Sequence, residues 1–281
     1  MSVSTPASTT TIFHCSDLHF GHPAVPEQYE AMEALIAQRR YSVVAISGDL
    51  SQRARSGEFQ RARAFIRHAE EHSRVICIPG NHDVRWWAAP FGFGDERAMF
   101  ANYRRFIDDD IEPVLRLPGV TLAGLNTSHG VIASALTWRL RDLSIIGVIK
   151  REQIERLRAV FAESPATDSR VIVMHHNPMK GELSQRHGLK DTRHALGAFA
   201  DLSVDLVLCG HDHQDAMHYI EHTRKGTVIS TAGTVSNRMR GGRPSSVNSI
   251  IISPHQIEVA TLVWSNSDRA FVPGPSKCFR H

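Results

Sequence analysis

Five short clusters of Asp, His and Asn recur along this 281-residue chain, and each directly follows a short apolar run. Ser16-Asp17-Leu18-His19 follows TIFHC, and Gly48-Asp49 follows VVAIS. Gly80-Asn81-His82-Asp83 follows VICIP, His175-His176-Asn177-Pro178 follows VIVM, and Gly210-His211-Asp212-His213 follows LVLC. Together they supply carboxylate oxygen, imidazole nitrogen and amide oxygen. That donor mixture suits Mn, Fe or Zn better than Ca, which prefers oxygen alone, or a soft metal held by thiolate. The chain has 17 His, a number that decides nothing until their positions are considered.

Taken singly, the clusters differ in weight. Asp-x-His is more often a turn or cap than a ligand pair, and Gly-Asp is a common turn dipeptide. His175-His176 also reads as two core or surface histidines. Gly-Asn-His-Asp and Gly-His-Asp-His after a strand are far more specific. Their joint order is the stronger signal, because ligands in open α/β sheets bind at the carboxyl ends of strands. Asp17 and His19 are two apart, as are His211 and His213. In an extended segment such residues point to one side. Gly48, Gly80 and Gly210 let the backbone turn sharply and approach the site closely.

The elements that must position these clusters are legible as alternating patterns. Strands are expected at Thr10 to Cys15, Val43 to Ser47, Val75 to Ile78, Val120 to Leu125, Val171 to Met174, Leu206 to Cys209, Thr227 to Thr231, Ser249 to Ile252 and Ile257 to Val263. Helices are expected over Glu27 to Arg40, Ser56 to Glu71, Arg97 to Ile107 and Lys150 to Ala162, the last introduced by a turn around Gly147. Strand–helix alternation, followed by a strand-rich last quarter, predicts an α/β fold. The expected architecture is a four-layer αββα sandwich of two mixed β-sheets flanked by helices, with the metal site at the C-terminal ends of strands. Residues 1–281 read as a single domain, with 1–10 a loose leader and 265–281 a partly irregular tail containing Pro273, Gly274 and Pro275.

Composition narrows the function. A hydrophobic share of 42% and a charged share of 22% are those of an ordinary globular protein. No apolar stretch is long enough to span a bilayer. The net charge of +3 suits an anionic substrate but lacks the concentrated basic stripe of a nucleic-acid binder. Cys15, Cys77, Cys209 and Cys278 show no CxxC spacing, and the leader has no basic segment before an apolar run. A reduced, cytoplasmic protein is the expectation.

The ordered set Asp-x-His, Gly-Asp, Gly-Asn-His-Asp, His-His-x-Pro and Gly-His-x-His resembles the calcineurin-like metallophosphoesterases, over Asp17 to His213. More narrowly, Ser47-Gly48-Asp49-Leu50-Ser51-Gln52-Arg53-Ala54-Arg55 and the His-His-x-Pro form resemble a bacterial branch that includes cyclic-nucleotide phosphodiesterases. The resemblance implies two transition-metal ions. The first would be held by Asp17, His19, Asp49 and His213, the second by Asp49, Asn81, His175 and His211, with Asp49 bridging. His175, which directly ends its strand, is the implied ligand of its pair, and His176 is a near neighbour and a candidate substrate contact. His82 would bind phosphate or protonate the leaving alkoxide, and Asp83 would orient it and hold it partly protonated.

The implied substrate is a small phosphodiester, with 3′,5′-cyclic nucleotides first. Alternatives within the family are a phosphomonoesterase, a nuclease or a lipid-precursor pyrophosphohydrolase. A nuclease predicts a large basic surface, and the lipid enzymes carry Arg where His82 stands. A non-catalytic scaffold should have lost ligands, and none is missing here. Other residues have two readings. His22, Asn126, Thr127 and His129 could line the rim. Arg238, Arg240 and Arg243, with Gly241 and Gly242, form a loop that reads equally as a phosphate contact or a solvated turn. Trp86, Trp87, Phe91 and Phe93 could stack a base, but such a cluster is more often core or an interface, which leaves a homo-oligomer open.

Overall fold

The computed structural model describes residues 9–85, 96–129, 146–181, 188–222 and 225–280. In chain order the first half comprises β1 (Thr10–Cys15), α1 (Pro26–Arg39), β2 (Val43–Ser47), α2 (Ser56–Glu70), β3 (Arg74–Ile78), a 3-10 turn (Asn81–Asp83), α3 (Glu96–Met99) and α4 (Ala101–Phe106). There follow β4 (Val114–Leu117), β5 (Val120–Leu125), α5 (Arg151–Ala162), β6 (Ser169–His176), α6 (Thr192–Asp201) and β7 (Leu206–Gly210). The last elements are β8 (Ala216–Ile220), β9 (Thr227–Thr231), β10 (Ser246–Ser253), β11 (Gln256–Ser265) and β12 (Ala270–Arg280).

Two six-stranded sheets result, in the orders β12-β11-β10-β1-β2-β3 and β4-β5-β6-β7-β9-β8. Both are mixed. β1, β2 and β3 are parallel, whereas β10 runs antiparallel to β1. β5, β6, β7 and β9 are parallel, between antiparallel edge strands β4 and β8. The period-2 alternation of side chains sorts each strand between two cores. Ile12, Val43, Ala45, Ile76 and Ile78 meet Leu122, Val171, Val173, Leu206 and Leu208 between the sheets. Their neighbours Phe13, Val44, Ile46 and Cys77 pack under α1, α2 and α4. Ile172, Met174, Val207 and Cys209 pack under α5 and α6. Three apolar layers between four layers of structure make this the expected αββα sandwich.

Some elements differ from the sequence expectation. The tail is strand rather than irregular chain. β12 pairs antiparallel with β11, from Gln256 opposite Arg280 to Ser265 opposite Ala270, with a register shift between Ala260 and Leu262. Pro273 and Pro275 fit because β12 is the sheet edge, where a missing N–H faces no partner strand. β1 spans Thr10–Cys15 as expected, and residues 1–8 of the expected leader lie outside the described residues. The helix expected over Arg97 to Ile107 is divided at Phe100 into α3 and α4. β4, α6 and β8 are additional. Among the described residues no helix is long and apolar enough to cross a membrane.

Leu208 is fully buried between the sheets, whereas Ile251 is 38% exposed on β10. Leu208→Ala should therefore cost about 2–5 kcal/mol in chemical denaturation, and Ile251→Ala less than about 1 kcal/mol. Equal losses would contradict this placement of the inter-sheet core.

Candidate metal centre

The five clusters lie at the carboxyl ends of β1, β2, β3, β6 and β7, so neighbouring strands of both sheets deliver them to one end of the sandwich. The local backbone is not extended, as the two-residue spacing had suggested. Asp17, His19, Asp49, His211 and His213 all have positive φ, at 53°, 47°, 53°, 74° and 58°. This left-handed conformation costs a non-glycine residue roughly 1–2 kcal/mol. It recurs here because each loop must turn its donor inward at once. Close approach adds a second constraint. A Cβ on Gly210 would lie 1.9 Å from Ser16 Oγ, and one on Gly80 would lie 2.2 Å from Asp49 N.

Two sets of donor atoms result. In the first, His213 Nε2 lies 3.1 Å from Asp17 Oδ1 and 3.2 Å from His19 Nε2. His19 Nε2 lies 3.7 Å from both Asp17 Oδ1 and Asp49 Oδ2. In the second, Asn81 Oδ1 lies 3.1 Å from both His175 Nε2 and His211 Nδ1, which are 3.3 Å apart. His175 Nε2 is 3.4 Å from Asp49 Oδ1. One oxygen of Asp49 thus faces each set.

These atoms fit a pair of cations. Asp17, Asp49, His19 and His175 are buried, and Asp17 Oδ1 meets no hydrogen-bond donor among the described residues while the facing His213 Nε2 carries no proton. A buried carboxylate oxygen without a donor is costly, and imidazole nitrogens that face one another leave lone pairs opposed. Cations answer both. Spacings of 3.1–3.7 Å suit neighbouring donors about 2.1 Å from a shared ion.

Electrostatics supports the same view. Burial pushes the His19 and His211 imidazoles down to about 3, so both are neutral and available as ligands. Burial alone would lower His175 as well, but the Asp49 carboxylate raises it to about 9 when no cation competes. Burial opposes ionisation of Asp17 and Asp49, yet His213 beside the first and His175 beside the second hold both carboxyls well below their usual range. The outer ring nitrogens are fixed by main-chain carbonyls. His175 Nδ1 donates to Ser47 O at 2.8 Å, and His213 Nδ1 to Arg238 O at 2.9 Å. Such bonds aim the opposite nitrogen inward.

His82 stands beside the first set, edge-on to His19 with ring centroids 4.9 Å apart. Asp83 does not orient it, contrary to the sequence expectation. Its two oxygens accept from the main-chain N–H groups of Leu50, Ser51 and Gly80 and from the Ser51 hydroxyl, at 2.7–3.0 Å. The reason is the 3-10 turn, in which successive side chains diverge by about 120°. Burial and the Asp49 charge raise the Asp83 carboxyl to about 6 against these donors. Asp83 braces the loop after β2 to the loop after β3, and His82 Nδ1 donates to Gln52 O at 2.8 Å.

His176 is also corrected. It is 1% exposed, its Nδ1 meets Thr127 Oγ1 at 2.7 Å, and its ring packs 4.6 Å from that of His211. It lies behind the second set rather than facing a substrate. It joins His175 and His211 in a potential ligand group, but Asp49 and Asn81 approach His175, so His175 is the better donor.

His22 is exposed. Asn126 and His129 belong to a buried network around Gln153 at the start of α5. Arg240 is exposed, and Arg243 donates to Asp215 O. Arg238, by contrast, extends into the centre. Two residues given no role by the sequence also matter here. Asn177 Nδ2 donates to Asp212 Oδ2 at 2.7 Å, tying the loops after β6 and β7. Trp86, Trp87, Phe91 and Phe93 lie outside the described residues.

The fold and this centre define a metal-dependent phosphoesterase. A model of the calcineurin-like phosphoesterase family matches residues 10–215, well over half of the chain, and the chain belongs to that family. The family is dinuclear and metal-dependent. The chain is similar in structure to a purple acid phosphatase from yellow lupin (Lupinus luteus) seeds, with a TM-score of 0.68, 11% identity and 98% of this chain covered. It spans 54% of the lupin protein's length. A dimetal phosphatase from Danio rerio has a TM-score of 0.65 at 12% identity, covering 96% of this chain and 98% of that one. GAP50 of Plasmodium, described as the anchor in the inner membrane complex, has a TM-score of 0.56 at 13% identity, covering 91% and 84%. At these identities the likeness concerns the fold. Comparison with curated proteins gives no match.

Asp49→Ala should remove both ions, so elemental analysis should fall from up to two per chain towards zero. Retention of two ions would contradict the shared-carboxylate geometry. Asp83→Asn should lower stability by about 1–3 kcal/mol through a mismatched buried acceptor, while leaving the shape of the pH–rate profile intact. A shifted acidic limb without loss of stability would restore the Asp83–His82 pairing.

Proposed function

We propose that the chain is a two-metal phosphodiesterase acting on small nucleotides, with 3′,5′-cyclic nucleotides as its first substrates. The observation that carries the reading is Asp49, whose two oxygens face two separate donor sets beside His82. Asp17, His19, Asp49 and His213 would hold one ion, and Asp49, Asn81, His175 and His211 the other, with Mn, Fe or Zn suited to this donor set. When bound, such a pair supplies a nucleophile at neutral pH and neutralises charge developing on phosphoryl oxygens.

The chain's own groups do the rest. Ser47 and Arg238 carbonyls keep His175 and His213 aimed inward. Because His82 Nδ1 donates a hydrogen bond to Gln52 O, its Nε2 faces the centre and, when it carries a proton, can give it to the departing alkoxide. A cyclic diester carries one negative charge and needs no large basic cleft, in accord with the modest net charge of +3. The resemblance of the Gly48 to Arg55 stretch and of His175 to Pro178 to the cyclic-phosphodiesterase branch supports the same substrate. A scaffold role, suggested by the likeness to an anchor protein, is disfavoured by the complete donor set. Four free cysteines accord with a reducing compartment such as the cytoplasm.

The direct test compares cyclic AMP, a linear diester and a monoester, using protein of measured metal content. Cyclic AMP should be cleaved. Metal-replete protein that cuts the linear diester but leaves millimolar cyclic AMP untouched would end the cyclic-nucleotide reading. His82→Ala should keep both ions and lower kcat by about 10²–10⁴-fold, with a smaller loss for substrates bearing a good leaving group. Equal losses for good and poor leaving groups would reduce His82 to phosphate positioning.

A further inference from the structure

The loop between β9 and β10 carries three arginines that the sequence could not rank, and their surroundings separate them. Arg240 is exposed and Arg243 turns away to Asp215 O, whereas Arg238 is half-buried. Arg238 Nη1 lies 3.1 Å from His82 Nε2, 3.3 Å from Gln52 Oε1 and 3.5 Å from His19 Nε2. The side-chain contacts of this guanidinium among the described residues are thus two imidazole nitrogens and one amide oxygen. A half-buried cation that meets only imidazole nitrogens and an amide oxygen is poorly compensated.

Its position is nonetheless built. Thr234 Oγ1 and Val235 N both donate to Asp17 O, at 2.8 and 3.3 Å. The Tyr29 hydroxyl joins the carbonyls of Leu18 and Val235. Asn237 N donates to Pro23 O, and Arg238 N to Ser236 Oγ. The carbonyl of Arg238 itself accepts from His213 Nδ1. The loop is thus fastened to the β1 loop that carries Asp17 and His19, and one residue serves the centre twice. Its main chain orients His213, while its side chain lies against His82 and His19.

We propose that Arg238 is a substrate-binding residue that grips the phosphoryl group, supplying a fixed side-chain cation beside His82. The proposal rests on the reading of this centre as a phosphoesterase site. A guanidinium offers five N–H donors in a planar fork that matches two phosphoryl oxygens, a better partner than the imidazole nitrogens and amide oxygen it now meets. A phosphoryl group that reaches His82 Nε2 must also meet Arg238, because the two are in contact. The same contact has a consequence for turnover. Hydrolysis converts a singly charged diester into a more highly charged monoester, which an arginine holds more tightly. Monoester product and inorganic phosphate should therefore compete with substrate.

The test uses Arg238→Ala and Arg238→Lys in the metal-loaded full chain. Both keep the main-chain carbonyl that orients His213, so side-chain binding is separated from ligand support. Inorganic phosphate binding is read by calorimetry, and metal content by elemental analysis. Arg238→Ala should weaken phosphate binding by about 10- to 100-fold with two ions retained. Arg238→Lys should recover part of the loss, and added guanidinium should recover part of it in Arg238→Ala. Phosphate binding within twofold of the parent would overturn the proposal. So would loss of ions in step with loss of phosphate binding, which would make the side chain a support for the metal ligands. The phosphate measurement does not need a diester substrate. If cyclic AMP is not cleaved but phosphate binding depends on Arg238, the cyclic-nucleotide reading falls and this one stands.

Discussion

The site turns on one buried carboxylate. Asp49 sits at the end of β2 with an oxygen towards His19 and the other towards His175, and it is 1% exposed. Taking that charge out of water is costly, and the main-chain His82 N–H that Asp49 accepts offsets only part of it, so nearby positive charge is needed as well. The rest of the centre is arranged around this need. β1 and β3, which flank β2 in one sheet, bring Asp17, His19 and Asn81. β6 and β7 bring His175, His211 and His213 from the other. The His175–Ser47 hydrogen bond then crosses between the sheets, so the site also ties together the two halves of the sandwich.

Local strain is concentrated at the same place. Five of the ten non-glycine residues with positive φ among the described residues are donors of the centre. Sandwich cores on three levels supply the rigidity that tolerates these turns. Main-chain carbonyls, Asp83 and the Asn177–Asp212 pair then hold the loops in position. Donors fixed in this way need little reorganisation when charge arrives, the condition under which electrostatic stabilisation of a transition state is strongest.

Much of this was legible in the residues, and the failures have definite causes. Strands buried on both faces, such as VVAIS and LVLC, announce themselves as apolar runs, and the donors follow them directly. β4 and β8 are short edge strands, with Arg116 exposed in the first and Tyr219 38% exposed in the second, so their patterns are diluted. β12 was hidden by its prolines, which a sheet edge accepts. Adjacency suggested an Asp83–His82 pair, but the turn that bears them sends the side chains apart. Arg238 was undervalued because it lies 25 residues beyond His213, and only the passage of the chain from β9 in one sheet to β10 in the other returns its loop to the centre.

Crystals of the manganese-loaded protein, with anomalous scattering recorded at the metal edge, test the account most directly. Two peaks should appear about 3.5–4 Å apart, one on each side of the Asp49 carboxylate. The nearer donors of the first should be Asp17, His19 and His213, and those of the second Asn81, His175 and His211. A single peak, or two peaks that share no carboxylate, would contradict the central claim.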